Sequence, residues 1–420
     1  MEVNILKSLP LVEIKKKSLD SYVNIVSKEK IEKIKNYSSN LKGLKVLHVN
    51  STAYGGGVAE ILQALVPLMR DIGLDAEWRI IHGDEKFFNV TKAFHNALQG
   101  MKIKLSNEMK DVYLKYNKKN AEKFEGDYDF IVIHDPQPAA IYHFLKPYTG
   151  IWIWRCHIDL SNKNMNFWNF IKPYIEIYDS YIFTLKDYAR EGLSKEKINI
   201  INPSIDPLAE KNDPLEFNKS KEITENYGID TSHPIILQVS RFDPWKDPLG
   251  VIDTYKIVKK KFPNVQLVMA GSMATDDPEG IEYYEKTKSH AGEDPDIFLL
   301  TNLDGVGNKE INAFQVTSDI IIQKSIREGF GLTVTEGLWK SKPVIGGNVG
   351  GIPIQIINGV NGFLVNNINE CAEKIIFLLK NPEISKKMGE KAKEYVRNNF
   401  LITEHLYNYL KLFEHLLKTV

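Results

Sequence analysis

Two glutamates, Glu328 and Glu336, have seven residues between them in Arg327-Glu328-Gly329-Phe330-Gly331-Leu332-Thr333-Val334-Thr335-Glu336. Gly329 and Gly331 let the backbone fold tightly and expose amides where Leu332 and Thr333 would begin a helix. Glu336 would then lie just over one turn in, where a carboxylate can accept two hydrogen bonds from vicinal hydroxyls, as on a ribose. Glu328, in the loop, can do the same for a sugar or face its anomeric region. Two glutamates also suit the acid/base pair of a glycosidase. Arg241 and Lys246, in Ser240-Arg241-Phe242-Asp243-Pro244-Trp245-Lys246, favour another chemistry. Two cations in one loop can neutralise a departing diphosphate, and one well-placed donor of this kind contributes about 3–4 kcal/mol. The plain alternative is a pair of solvated surface charges.

Three further loops carry polar groups. Ser51-Thr52-Ala53-Tyr54-Gly55-Gly56-Gly57 precedes an apolar helical pattern at Val58, Ile61, Leu62 and Leu65. Its glycines suit close approach of backbone to a phosphate or sugar oxygen. The dinucleotide fingerprint is not met, because its third glycine would fall at Glu60. His134-Asp135-Pro136-Gln137-Pro138 and Arg155-Cys156-His157-Ile158-Asp159 follow apolar runs and suit hydroxyl recognition. Asp127-Tyr128-Asp129 has metal-like spacing but precedes its strand, which makes it structural. The ten histidines show no zinc spacing. His405 and His415, beside Glu404 and Glu414, read as surface residues.

These loops need elements to hold them. Short Val/Ile-rich runs at 45–49, 78–81, 130–134, 150–155, 181–185 and 198–202 alternate with amphipathic stretches. A second series follows at 235–239, 265–270, 297–300, 319–323, 343–346 and 363–365. This is the doubly wound α/β pattern, met twice. Ser27 caps a helix whose buried face holds Ile31 and Ile34. Residues 203–232, with Pro203, Pro207 and Pro214, read as a linker or a polar surface stretch, and 383–418 as helix. In such sheets ligands bind beyond the carboxyl ends of the strands. The chain has 420 residues, enough for two cores. Its 54 basic and 54 acidic residues give no surplus for a nucleic acid. Cys156 and Cys371 make no disulfide framework, and no apolar run is long enough to span a bilayer. Met1-Glu2-Val3-Asn4 opens no signal peptide, so a cytoplasmic location is expected.

Taken in order, the glycine loop at 55–57, Arg241, Lys246, Glu328 and Glu336 resemble glycosyltransferase family four. The runs Phe87-Phe88-Asn89-Val90-Thr91-Lys92, His134-Asp135-Pro136-Gln137-Pro138, Trp154-Arg155-Cys156-His157-Ile158-Asp159-Leu160-Ser161, Ser204-Ile205-Asp206-Pro207-Leu208 and Arg241-Phe242-Asp243-Pro244-Trp245-Lys246 are similar to its trehalose-forming branch. The likeness covers almost the whole chain. It implies the GT-B class: two Rossmann-like doubly wound α/β domains with an interdomain cleft. Residues 1–205 would form the acceptor-side domain and 206–399 the nucleotide-sugar domain, with helix 400–420 packing back on the first.

The resemblance further implies transfer of glucose, with retention, from a nucleoside-diphosphate glucose such as UDP-glucose to glucose, giving α,α-trehalose. Arg241 and Lys246 would grip the diphosphate and Glu336 the ribose. Glu328 and the amides of Gly329, Phe330 and Gly331, with Leu332 and Thr333 at the helix start, would hold the transferred glucose. His157 would touch the sugar at the reaction centre, and Gly56 and Gly57 would admit diphosphate and acceptor. Asp135, Gln137, Arg155 and Asp159 would contact the acceptor. No metal ligands or cofactor are required, although Mg2+ can accompany the nucleotide. The expected partners are the donor, glucose and trehalose, with no nucleic acid and no membrane; a homodimer is left open. The family's Gly-Gly-x-Pro-Glu run appears as Gly350-Gly351-Ile352-Pro353-Ile354, without its glutamate. A trehalose phosphorylase, an epimerase of the same architecture and a non-catalytic sugar or nucleotide binder are the rival readings.

Overall fold

The computed structural model describes residues 8–145, 147–189, 192–273 and 278–419; Met1-Glu2-Val3-Asn4 lies outside them. The chain divides into two compact units, Met1–Ser204 with Ile402–Val420, and Ile205–Leu401. In the first, β1 (Lys45–Asn50), β2 (Asp75–Ile80), β3 (Phe130–His134), β4 (Ile151–Cys156), β5 (Ser180–Phe183) and β6 (Ile198–Ile200) pair in the order β2-β1-β3-β4-β5-β6. In the second, β7 (Ile235–Val239), β8 (Gln266–Gly271), β9 (Ile297–Thr301), β10 (Ile320–Gln323), β11 (Val344–Gly347) and β12 (Gly362–Val365) pair in the order β12-β11-β10-β7-β8-β9. Every pairing in both sheets is parallel.

The first unit carries helices α1 (Lys28–Ser38), α2 (Gly57–Asp71), α3 (Glu85–Leu98), α4 (Asn107–Ala121), α5 (Ile141–Leu145) and α6 (Met165–Ile175). The second carries α7 (Phe217–Glu225), α8 (Pro248–Lys259), α9 (Pro278–Ala291), α10 (Asn308–Thr317), α11 (Leu332–Trp339), α12 (Ile368–Lys380) and α13 (Pro382–Asn399). The last helix, α14 (Ile402–Thr419), belongs to the first unit. It buries Leu406, Tyr409, Leu410 and Phe413, and Phe413 stacks on Phe130 of β3 with ring centroids 4.2 Å apart.

Each run read as a strand forms one, within a few residues of its expected ends. The reason is visible in burial: every residue of β3, β4, β5 and β8 is buried, as a sheet covered by helices on both faces demands. Ser27 caps α1 by accepting the Lys30 N–H at 3.2 Å, and Ile31 and Ile34 are buried beneath it.

Two sequence expectations need correction. Residues 203–232 are not all linker, for α7 lies within them. Its buried positions are Ser220 and Thr224, and Thr224 shares a hydrogen bond with Thr317 of α10 at 3.0 Å. A helix that buries hydroxyls shows no apolar period. His405 is not a surface residue either: it is buried, with Nδ1 bonded to the Asn202 carbonyl at 2.8 Å. His415 is exposed.

The strand order creates one gap in each sheet. β1 and β3 are neighbours, as are β7 and β10, and in each pair the following helices must leave to opposite faces. Such a switch point leaves the carboxyl ends of both strands uncovered. At the opposite edge, carboxylates tie strands together. Asp129 Oδ2 accepts the Lys45 N–H at 2.7 Å, Asp179 Oδ2 that of Trp152 at 2.8 Å and Asp319 Oδ2 that of Ile235 at 2.8 Å. Asp129 of the Asp127-Tyr128-Asp129 run therefore serves the sheet.

An aspartate so placed satisfies a strand amide that water reaches poorly. Asp179→Ala is expected to destabilise the fold by about 1–3 kcal/mol, the cost of one unpaired buried donor. Denaturant unfolding measures it, and an unchanged midpoint would show that solvent replaces the carboxylate.

Candidate functional site

In the second unit the switch point between β7 and β10 gathers charge. The loop after β7 makes a short turn at Pro244–Lys246, capped by Asp243, whose Oδ1 accepts the amides of Trp245 at 2.9 Å and Lys246 at 3.2 Å. Asp247 follows with φ 51° and caps α8 through the Gly250 N–H at 3.2 Å. That turn presents Lys246, whose Nζ lies 2.5 Å from Glu328 Oε2 on the loop after β10. The same oxygen accepts Ser325 Oγ–H at 3.1 Å, with Gln323 Nε2 at 3.5 Å, and Glu328 is 9% exposed. Gln238 of β7 donates to the Lys246 carbonyl at 2.9 Å. Lys324, directly after β10, pairs with Asp247. Two ion pairs thus bridge the two loops.

Arg241 stands apart from this order. Its side chain is 71% exposed, and its nearest carboxylate is Asp243 at 3.4 Å. It keeps donors available to an incoming anion. Gly331 caps α11 with φ 83°, a left-handed conformation that glycine adopts at little cost. Leu332 and Thr333 open the helix, both partly exposed, and the Thr333 hydroxyl donates to Gln323 Oε1 at 3.3 Å. Gly329 and Phe330 complete the loop, with Phe330 buried.

Glu336 is held differently from the sequence expectation. It is fully buried, with Oε1 2.8 Å from Lys211 Nζ and Oε2 accepting from Gln315 Nε2 at 3.2 Å. Each oxygen has one such partner and keeps further acceptor capacity. Lys340, one turn further on, has its ammonium pKa pushed down to about 8 by burial.

In the first unit the switch point gathers imidazoles instead. His48 lies in β1, His134 ends β3 and His157 follows β4. His48 Nδ1 and His134 Nε2 are 3.0 Å apart, and His134 Nδ1 and His157 Nε2 are 2.9 Å apart. The three rings form one hydrogen-bonded line. Burial holds His48 down to about 3 and drives His134 and His157 well below the usual imidazole range. The Arg155 guanidinium adds to the effect on the last two.

Arg155 is itself fully buried and donates to the Ile201 carbonyl at 2.7 Å, so its side chain is not offered to an acceptor as expected from sequence. Asp135 adopts φ 65°, rare for a non-glycine residue, and its Oδ1 accepts the His157 N–H at 2.7 Å. That bond ties the loops after β3 and β4 together. Burial pushes the Asp135 carboxyl up to about 7. Asp159 is buried and turns its Oδ1 back to the Ser161 N–H at 2.8 Å. Gln137 has a buried Oε1 without a partner among the described residues. Gly55 and Gly56 have φ of 73° and 80° with open space beside both, and Gly57 begins α2.

A model of the trehalose synthase N-terminal domain matches residues 48–190, and one of glycosyl transferases group 1 matches residues 219–395. Over 398 residues the chain is 53% identical to a trehalose synthase of Thermococcus litoralis, covering 94% of this chain and 96% of that protein. The chain belongs to the trehalose synthase family. A trehalose synthase of Rubrobacter xylanophilus is 48% identical over 407 residues, 96% of this chain and 97% of that one. The family membership makes the chain a hexosyltransferase. Its fold is GT-B. A UDP-forming α,α-trehalose-phosphate synthase from Burkholderia xenovorans matches with TM-score 0.72 at 14% identity, over 90% of this chain and 100% of that structure. Among the described residues no helix is long and apolar enough to cross a membrane.

Sequence reasoning brought Lys246 and Glu328 to one point, and Asp135 and His157 to another. It missed His48, hidden in an apolar strand run, and Lys211, in the stretch read as linker. Lys324 carried a usable signal, since it directly follows a strand.

Three buried histidines, His48, His134 and His405, and the half-buried His157 stay neutral in the fold. Below their unfolded value of 6.5 the unfolded chain takes up protons that the fold refuses. Stability is therefore complete above about pH 6.5 and falls as pH drops, by up to about 1.4 kcal/mol per unit for each histidine. Asp135 works against this, because its raised pKa favours the fold at low pH, but one carboxyl opposes four imidazoles. Melting midpoints are expected to fall between pH 7 and 5, and His48→Gln should flatten the slope. A slope unaltered by His48→Gln would contradict a neutral His48.

Proposed function

We propose that this protein moves glucose from a nucleoside-diphosphate glucose to free glucose, with retention, and so forms α,α-trehalose reversibly. One observation carries the reading: Lys246 and Glu328 meet at 2.5 Å on the switch point of the unit that matches glycosyl transferases group 1. An ammonium has three donors, so Lys246 can hold Glu328 and still offer N–H groups to a phosphate. Arg241, exposed and weakly paired, would close on the same anion. Glu328 would accept sugar hydroxyls through the oxygen that Lys246 does not take.

The acceptor half would be the first unit. Its strand-end groups are neutral imidazoles and a carboxyl that ionises late, which suits hydroxyl recognition without drawing the diphosphate. His157, at the end of the imidazole line, is the group proposed to meet the sugar. The resemblance to retaining glycosyltransferases of family four implies a front-face reaction. The departing phosphate oxygen takes the acceptor hydroxyl's proton as the sugar passes through an oxocarbenium-like state. Cations and helix-start amides take the charge-neutralising role, and Mg2+ need only accompany the nucleotide.

The trehalose synthases of Thermococcus litoralis and Pyrococcus furiosus, each 53% identical over 94% of the chain, support this product. A trehalose phosphorylase of Pleurotus pulmonarius is 27% identical over 412 residues, and the chain spans about half of that protein's length (55%). The test is incubation with ADP-, UDP- and GDP-glucose plus glucose, with the product identified by NMR. α,α-Trehalose and free nucleoside diphosphate are expected. Glucose 1-phosphate from trehalose and inorganic phosphate, with no turnover of any nucleotide sugar, would replace the proposal with phosphorolysis. Within it, Lys246→Ala should lower kcat by about 100-fold, the usual loss for one charge-stabilising donor. Near-normal kcat would remove Lys246 from the assigned role.

A further inference from the structure

His134 ends β3, and the proposed transfer gives it no task of its own. It is buried, as is His48 in β1, whereas His157 is half-buried. His134 spends both ring nitrogens on its neighbours: Nε2 meets His48 Nδ1 at 3.0 Å, and Nδ1 meets His157 Nε2 at 2.9 Å. Both ring pairs have centroids 5.2 Å apart, so the facing nitrogens lie between the rings and not one above the other. Each contact of nitrogen to nitrogen needs one donor and one acceptor. Backbone holds the outer ring in place, because the His157 N–H donates to Asp135 Oδ1 at 2.7 Å. Among the described residues nothing hydrogen-bonds to His157 Nδ1.

A neutral imidazole carries one N–H and one lone pair, so the bond made at one nitrogen decides the state of the other. With three neutral rings the line has only two senses. In the first, His48 Nδ1–H donates to His134, His134 Nδ1–H donates to His157, and His157 keeps Nδ1–H. In the second every bond reverses: His157 Nδ1 becomes a lone pair and His48 Nε2 becomes an N–H. The outer end does not choose, because a sugar hydroxyl can accept from Nδ1 or donate to it. The inner end does. His48 Nε2 is buried without a hydrogen-bond partner among the described residues. The Tyr409 ring beside it, with centroids 5.9 Å apart, offers only the weak acceptor of an aromatic face. A buried N–H left without an acceptor is rarer than an acceptor left idle. His48 therefore keeps its lone pair at Nε2 and donates from Nδ1, which sets the first sense. We infer that His134 is a positioning residue: by donating to His157 Nε2 it holds His157 as the Nδ1–H tautomer, so that the ring offers a donor to a sugar oxygen. This rests on the proposed function for the sugar, but the tautomer follows from the ring contacts. A free neutral histidine ring in water favours Nε2–H, so the line imposes the less common form.

Nitrogen-15 spectra of the histidine-labelled protein report the tautomer of each neutral ring, and His157→Gln identifies the His157 signals. Wild-type His157 is expected as Nδ1–H. Nε2–H, or an even mixture, would overturn the inference. His134→Leu removes the donor to His157 Nε2 and leaves a side chain of similar size. The half-buried ring can then turn toward solvent, and its signals should move toward Nε2–H. In the same variant kcat/KM for transfer should fall by about 10-fold, the loss of one hydrogen bond to the sugar, while UDP and ADP affinity stay within about 2-fold. A ring at 134 that only fills space would lower the melting point and leave the His157 tautomer as it was. An unchanged tautomer, or wild-type kcat/KM, in folded His134→Leu would overturn the inference. Should that variant not fold, His134→Met is read in the same way, and the wild-type spectrum decides by itself. Absence of nucleotide-sugar turnover in the wild-type protein would instead count against the proposed function. The spectra then settle the role of His134 alone: a switch of tautomer in the variant supports it, and none ends it.

Discussion

A parallel strand ends with its last amides and carbonyls unpaired, and the chain must leave that end toward one face of the sheet. Where neighbouring strands send their chains to opposite faces, nothing covers the shared edge. This constraint decides where chemistry can sit in both units. β1 and β3 form that place in one, and β7 and β10 in the other. Lys246 and Glu328 come from loops 82 residues apart in sequence, yet the strand order makes them neighbours. His48 and His134, 86 residues apart, meet for the same reason.

The charges at the second switch point are held before any ligand arrives. Lys246 with Glu328 and Lys324 with Asp247 tie the loop after β7 to the loop after β10. A half-buried ion pair adds little net stability, but loss of one partner strands the other and costs about 3–5 kcal/mol where burial is complete. The pairs therefore fix geometry more than they strengthen the fold. Beneath them, Gln238, Ser325 and Gln355 are neutral groups that satisfy carbonyl and carboxylate oxygens facing inward. Burial of neutral amides and hydroxyls costs far less than burial of further charge.

The sheets were legible because each strand is an apolar run with a turn behind it. Lys246 and Glu328 were legible because they stand after such runs, with glycines that need special backbone freedom. What stayed hidden is what breaks the apolar code. α7 buries Ser220 and Thr224, which carry no hydrophobic period. His48 and His405 are polar residues inside apolar patterns, and only three-dimensional pairing shows that they are core. Glu336 reads as a ligand group from its spacing, but its partners Lys211 and Gln315 are not near it in sequence and could not be read from it. Gln355 gives no signal in the sequence, because its partners are backbone carbonyls and the Thr335 hydroxyl, none of which its spacing reveals.

The two switch points differ in kind, and the difference follows from what surrounds them. In the first unit, Arg155 is buried without a tight carboxylate partner, and its field together with burial keeps His134 and His157 neutral. The same burial delays ionisation of Asp135 to about 7. Neutral donors and acceptors are matched to hydroxyl groups, since neither side must be stripped of a strongly held water shell. In the second unit, cations remain, either paired across the gap or, at Arg241, left to solvent. Cations that are already partnered can receive a diphosphate by exchanging or sharing a carboxylate, so little charge is created or destroyed when it binds. The proposed transfer, with an uncharged sugar on one side and a pyrophosphate on the other, would need both environments, and one pair of strand orders supplies the openings in which each can form.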